Sequence, residues 1–262
     1  MRFYLIRLLV TTGTFLYRVN AAIGALILVL SRPSDLVEMV KRRYQESKFV
    51  QAASKDPELK GLTEKESQFV VKYLPGKKRC LVFGSGGGRE SFALARMGFE
   101  VTGIDTSSVL IENSNRYALQ HALTCRFELR DLFKGPTGAE KYDALFATQL
   151  LYSAIPTRRR RITFLEKTRT FLAENGVLYL EFWVWPLRRK DPRLFRLKQK
   201  VAALCHGNRE LEEGDTYLWA AKHFSHIFTE VSEVLGEIEK SGLFVVENQF
   251  ANGTMILSPH RR

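Results

Sequence analysis

The chain has 262 residues, enough for one sizeable α/β domain and a short appendage. With 45% hydrophobic and 26% charged residues, its composition excludes a disordered or fibrous chain. A formal net charge of +12 favours an anionic partner, which nucleic acid, an acidic lipid surface or an acidic substrate would each satisfy.

Residues 3–30 are strongly apolar and admit several readings. A cleaved secretory signal would need a small-residue cleavage site, yet residues 25–30 run straight into Ser31-Arg32-Pro33. A spanning helix needs about 20 apolar residues, and the uninterrupted run 21–30 is too short unless Asn20 and Arg18 are taken in. The third reading is an interfacial helix. Arg7, Thr11, Thr14 and Arg18 recur at helical spacing as one polar stripe, with Leu5, Ile6, Leu9 and Leu16 opposite. Arg32 and Lys41-Arg42-Arg43 then form a basic flank suited to the anionic, cytoplasmic face of a membrane. Packing of the same helix on the protein's own body or on a second subunit is the remaining alternative.

Ser34 is placed to cap a helix from Asp35 to about Ser54, with Leu36, Met39, Val40 and Tyr44 on one face. Pro57 and Gly61 interrupt the chain, and Thr63-Glu64-Lys65-Glu66 reads as a capping box. The helix it opens carries Phe69, Val70 and Leu74 on its apolar face. This divides the chain into a hydrophobic segment (1–33), a helical linker (34–62) and a main domain (63–262).

Cys80-Leu81-Val82-Phe83 is a short apolar run of the kind that forms a strand covered on both faces. Gly84-Ser85-Gly86-Gly87-Gly88 follows at once, and such a turn lets the backbone bend sharply and lets a ligand approach closely. The helix from Arg89 to Met97 then aims its N-terminus at that ligand, and Gly98 ends it. Glu100-Val101-Thr102-Gly103-Ile104 forms the second strand, with Asp105 at its tip. An acid about 20 residues after such a turn can accept both hydrogen bonds of a ribose diol. Of the three scattered cysteines, Cys80 and Cys125 fall on strands and Cys205 stands apart, without metal-ligand spacing or a disulfide framework. That usage fits a reducing, cytoplasmic compartment.

The dinucleotide fingerprint started at Gly84 requires glycine where Arg89 stands, and no phosphate-cradling G-K-[ST] ending is present. The stretch resembles motif I of the class I S-adenosylmethionine-dependent methyltransferases, with G-x-G-x-G at Gly84, Gly86 and Gly88. The resemblance extends over roughly residues 63–258 and implies a Rossmann-like α/β fold. That fold is a seven-stranded, mostly parallel sheet with helices on both faces and an antiparallel last strand. The strands fall near 79–83, 100–104, 125–129, 142–147, 176–182, 243–248 and 253–258, with a helix from Glu230 to Ser241 before the last pair. The resemblance implies S-adenosylmethionine as cofactor, held by Gly84, Ser85, Gly86, Gly88, Asp105, Thr106, Asp131, Leu132 and Thr148. In it Asp105 binds the ribose, Asp131 bonds the adenine amino group, and Thr148-Gln149 falls at the methionine end. One departure stands out: Val82 occupies the position where the family often places an acid for the methionine amino group.

The sequence carries no strong catalytic signature, as expected where the leaving group is already activated. The fourth strand is followed by Ala147-Thr148-Gln149-Leu150 rather than N/D-P-P-Y/F, and no Pro-Cys nucleophile appears, which counts against nucleic-acid amine and cytosine-C5 acceptors. Tyr152 would either line an acceptor pocket or pack in the core. His223-Phe224-Ser225-His226 has i, i+3 spacing, which could put both imidazoles on one side of a helical turn, either as bases or as core residues. Further metal ligands are not evident there. Arg158-Arg159-Arg160-Arg161 reads as a solvated helical face. An insertion over about 184–222, near Trp183 and Trp185, continues with Leu187-Arg188-Arg189-Lys190 and Arg193, Arg196, Lys198 and Lys200. Aromatic and basic residues so mixed suit a membrane interface or nucleic-acid stacking. Three functional readings follow: methyl transfer to a small or lipophilic acceptor at a membrane, methyl transfer to RNA, or binding without catalysis.

Overall fold

The computed structural model describes residues 2–46, 48, 50, 61–185 and 191–261. The helix expected to run from Asp35 to about Ser54 ends instead at Gln45, where Glu46 leaves the helical conformation; residues 51–60 of the expected linker and the 186–190 part of the insertion lie outside the described residues. The chain opens with α1 (Arg2–Leu30) and α2 (Pro33–Gln45), which precede α3 (Glu64–Tyr73) and the sheet. β1 (Arg79–Phe83), α4 (Arg89–Arg96), β2 (Glu100–Asp105), α5 (Ser108–Gln120) and β3 (Cys125–Leu129) form the first half of the sheet. β4 (Tyr142–Ala147), α6 (Arg158–Phe171), β5 (Leu172–Glu181), α7 (Pro192–Leu204), β6 (Asp215–Leu218) and β7 (His223–His226) come next. α8 (Val231–Ser241), β8 (Phe244–Gln249) and β9 (Thr254–Ser258) complete the fold.

Seven strands form one sheet in the order β3-β2-β1-β4-β5-β9-β8, while β6 and β7 pair separately. β1 is parallel to β2 and β4, and β9 runs antiparallel to both β5 and β8. This is the expected α/β sheet, with the reversal at β1/β4 that opens a crevice at the carboxyl ends of the strands. Cys80, Leu81, Val82 and Phe83 are buried because β1 is covered on both faces. One face packs Leu81, Phe83, Leu145, Leu178 and Phe164, the other Cys80, Val82, Phe146, Tyr179 and Phe69.

β5 begins at Leu172 rather than near 176: Leu172 pairs with Tyr142, and a bulge intervenes before Val177 pairs with Ala144. α2 begins at Pro33, not after a Ser34 cap. Pro33 has the fixed φ of a first helical residue, and the Asp35 carboxylate accepts the Arg32 N–H at 2.8 Å. α3 opens as expected, with Thr63 and Glu66 bonding each other's backbone N–H.

The helical turn expected at His223 and His226 is a strand instead. β7 pairs with β6 in a hairpin, Asp215 opposite His226 and Leu218 opposite His223. Positions three apart on a strand point to opposite faces, so the imidazoles part company. A third core joins this hairpin to the N-terminal helices through Leu28, Val29, Leu36, Ala202, Leu211 and Phe224. The contact is close: a Cβ on Gly207 would sit 2.0 Å from the Val29 carbonyl oxygen. Asn208 N donates to that same oxygen at 3.0 Å, and Trp219 Nε1 donates to Asn20 O at 3.0 Å. Residues 2–45 and the insertion thus form one cap. α1 is long and apolar enough over Val10–Leu30 to cross a membrane, and only 17% of its most apolar window is buried.

Candidate functional site

The glycine turn is held in the shape its sequence anticipates. Gly84, Gly86 and Gly88 have φ of +61°, +51° and +89°, a region costly for residues with side chains. Ser85 N donates to Ile104 O at 3.0 Å and Gly88 N to Ser85 O at 2.8 Å, closing the turn onto β2 and α4. Gly103 lets β2 come close, since a Cβ there would lie 2.6 Å from the Phe127 ring and 2.8 Å from Ser85 Cβ.

Asp105 sits across the turn. Its Oδ2 accepts Gly86 N at 2.9 Å and its Oδ1 accepts Ser107 N at 2.9 Å. Burial pushes its carboxyl above the usual range, against the backbone N–H groups of Ser107, Gly86 and Thr106, which pull it down. Asp131 is lowered instead: burial acts upward, but Phe133 N and the Lys41 ammonium outweigh it. Lys41 Nζ stands 3.0 Å from Asp131 Oδ2.

These residues surround one cavity of about 330 Å³. Gly84, Ser85, Gly86, Asp105, Thr106, Asp131, Leu132 and Thr148 all line it. Gly88 does not; it caps α4, and a Cβ there would collide with Phe92 at 2.4 Å. The segment expected as a linker supplies a whole wall, through Val37, Val40, Lys41 and Tyr44 of α2. Sequence reasoning marked Val40 and Tyr44 as one apolar helical face without saying what it covers. The recurrence of Val37, Val40, Lys41 and Tyr44 at helical spacing was the available signal.

None of the candidate bases lines the cavity. Tyr152 is fully buried and donates to Glu237 Oε2 at 2.6 Å, and burial with that carboxylate holds its phenol well above its ordinary value. His223 lies against the Tyr44 ring, with centroids 5.7 Å apart, and burial lowers its pKa. His226 Nδ1 meets Asp215 Oδ1 at 2.9 Å. Burial and Arg161 push its pKa down, yet Asp215 and Glu233 outweigh them and raise it. Glu212, Asp215 and His226 bring a ligand atom each within 4.8 Å of one another. Glu212 is engaged by Arg161, however, and a guanidinium in the cluster makes it an ion-pair network.

The arginine run is not a solvated face throughout. Arg161 is fully buried between Glu237 (2.6 Å) and Glu212 (2.7 Å), because α8 and the cap close over that side of α6. Arg160 lines the cavity and lies over the Phe133 ring at 4.8 Å, whereas Arg159 remains exposed. A glutamate that sequence reasoning passed over, Glu90, is buried beside Thr148, Gln149 and Arg89.

The profile of the family described as "Methyltransferase domain" matches residues 80–176, which span β1 to the start of β5. A ubiquinone biosynthesis O-methyltransferase of Haemophilus ducreyi is 31% identical over 108 residues, 39% of this chain and 44% of that protein. The enzyme of the same name from Coxiella burnetii is 34% identical over 85 residues, 32% of this chain and 36% of that protein. The chain therefore spans less than half the length of these curated relatives. Among solved structures, DhpI in complex with S-adenosylhomocysteine superposes with a TM-score of 0.54 at 18% identity, covering 86% of this chain and 98% of that one. An S-adenosylmethionine-dependent methyltransferase of Methanosarcina mazei gives a TM-score of 0.53 at 19% identity, covering 75% and 97%. At these identities the likeness is one of fold. Residues 80–176 thus match a methyltransferase-domain profile, and the sheet order is that of the Rossmann-like fold shared with S-adenosylmethionine-dependent methyltransferases.

Proposed function

We propose that the chain transfers the methyl group of S-adenosylmethionine to an oxygen of a small, lipophilic acceptor at the cytoplasmic surface of a membrane. The observation that carries the first half is the meeting of the glycine turn and Asp105 in a single cavity closed by α2. The residues fit the cofactor. Gly84 and Gly86 offer bare backbone, and a Cβ on Gly84 would press to 3.2 Å from Leu151. Asp105 accepts the Gly86 and Ser107 N–H groups, one at each oxygen, is also bonded by Thr106 N–H, and lines the cavity where a ribose diol would lie. Asp105 would hold the ribose, Thr106, Asp131 and Leu132 the base, and Ser85, Gly86 and Thr148 the amino-acid end.

When bound, the cofactor supplies a methyl group on a cationic sulfur that is already a good leaving group. The chain's own work is then alignment and exclusion of water. Val37, Val40 and Leu151 make the cavity wall apolar, and α2 closes it. Tyr152 and His226 are committed to carboxylates elsewhere, which supports a mechanism resting on positioning.

The acceptor class rests on two supports. The curated relatives are named as O-methyltransferases of ubiquinone biosynthesis, a route to a lipophilic product. The cap also presents apolar side chains to solvent: Phe15 is 64% exposed on α1 and Leu204 78% on α7, and Trp185 in the insertion is 52% exposed. Exposed Arg193, Arg196 and Lys200 on α7 complete an aromatic, aliphatic and basic surface suited to an anionic bilayer. Calorimetry with S-adenosylmethionine tests the first half, and absence of binding by the wild type would end it. Flotation with anionic vesicles tests the second. Full-length chain should float and a Phe15→Glu, Leu16→Glu variant should not; equal flotation would remove the membrane from the reading.

A further inference from the structure

Glu90, at the start of α4, is only 1% exposed. Its Oε1 accepts three donors: Thr148 Oγ1, Gln149 Nε2 at 2.9 Å and Arg89 Nη2 at 2.6 Å. Its Oε2 is buried and meets no hydrogen-bond partner among the described residues. Thr148, Gln149 and Arg89 all line the cavity, so Glu90 lies one layer behind its wall. A buried carboxylate oxygen without a donor is costly, and natural folds rarely keep one without use.

The charges around it do not balance. Arg89 is the guanidinium facing Glu90, and it also grips Glu66, itself 1% exposed, at 2.7 and 2.8 Å. Burial opposes the charge on Arg89, yet the two carboxylates outweigh it and raise its pKa. Two buried carboxylates thus share one cation. The nearby Lys65 directs its ammonium to Asn252 O at 2.7 Å. Gln149 and Leu150 add a strained bend at the same place, with φ of +52° and +62°. Glu181 fixes it by accepting Gln149 N at 2.6 Å, and the Gln149 amide is turned onto Glu90.

We propose that Glu90 is a positioning residue for the cationic α-amino end of the cofactor: from behind the wall it holds Thr148 and Gln149 and leaves this end of the cavity with excess negative charge. The assignment rests on the S-adenosylmethionine reading above. An ammonium in the cavity brings what the cluster lacks, a positive charge. No acid on β1 competes for the role, since Val82 is a fully buried core residue.

Calorimetry with two ligands tests this: S-adenosylhomocysteine, which carries the α-amino group, and methylthioadenosine, which keeps the nucleoside and lacks it. Wild type should prefer S-adenosylhomocysteine. Glu90→Gln should weaken S-adenosylhomocysteine by about 10- to 100-fold and leave methylthioadenosine within about twofold. Equal losses for both ligands would reduce Glu90 to a structural residue, and no loss would remove it; either overturns the proposal alone. A wild type that binds neither ligand would overturn the cofactor reading together with it. Unchanged methylthioadenosine binding also reports that the variant is folded. If Glu90→Gln does not fold, Glu90→Asp, which keeps the charge but withdraws it by one methylene, should lose selectively for S-adenosylhomocysteine; an unselective loss, or none, overturns the proposal.

Discussion

The sheet and the cap are stabilised by different kinds of contact. The sheet is assembled from consecutive strand–helix units, and its buried residues, such as Leu81, Val82 and Phe146, lie in short local runs. The cap joins helices from residues 2–45 to a helix and hairpin from residues 192–226, through Leu28, Leu36, Ala202 and Phe224. The sheet supplies the glycine turn, Asp105 and Asp131, and the cap supplies the α2 wall over them. Chemistry that needs a rigid frame sits on the part with local order, and access is governed by the part held by long-range contacts.

The sharpest way to break this division is at the joint. Arg161 leaves the sheet body on α6 and reaches both Glu237 of α8 and Glu212 of the cap. Arg161→Met should cost about 3–5 kcal/mol, because it strands buried carboxylates rather than merely removing a bond. Denaturant unfolding followed by tryptophan fluorescence measures this; a loss under about 1 kcal/mol would mean that the cap is seated by its apolar core alone.

A smaller effect, confined to the sheet's half of the site, comes from Asp105→Ala. S-adenosylmethionine affinity by calorimetry should fall about 10- to 100-fold, two hydrogen bonds to a charged acceptor being removed. The corresponding change in the cap is Lys41→Met. With Asp131 holding the base as proposed, Lys41 would compete with the adenine amino group for it, so this variant should bind the cofactor a few-fold more tightly, about 1 kcal/mol or less for a pair about a third exposed. Weaker binding would instead make Lys41 part of the cofactor's own wall.

The smallest effect separates the two regions by pH. The His226 pKa is raised in the fold, so its share of stability is fully present below about pH 6.5 and fades as pH rises through the elevated value. Hydrogen exchange in the β6–β7 hairpin should therefore quicken as pH rises above neutrality, after correction for intrinsic exchange, while the β1 core does not change. A His226→Gln variant should remove the difference.

Much of the sheet was legible in the chain itself. β1, β3 and β4 stand where their apolar runs were bounded by turn residues, and β2 extends one residue beyond its expected end to Asp105. The start of β5 was missed because the bulge after Leu172 has no local signal. The placement of Asp105 at the cavity was legible because it depends on spacing from a glycine turn, and both lie in one βαβ unit. Glu90 was not, since a glutamate at a helix start reads as a dipole partner until Thr148 and Gln149 are brought against it.

The sequence by itself determined the strand order's raw material, the glycine bend and the acids on the following strands, because these follow from short-range periodicity and backbone freedom. Only the tertiary structure decided that α2 is a wall, that His223 and His226 face apart, and that Arg161 is buried while Arg159 is not. Each of those depends on which distant segment arrives opposite. A helix face or a charged run carries no local mark of its future neighbour, and the free energy that selects one is shared between both partners.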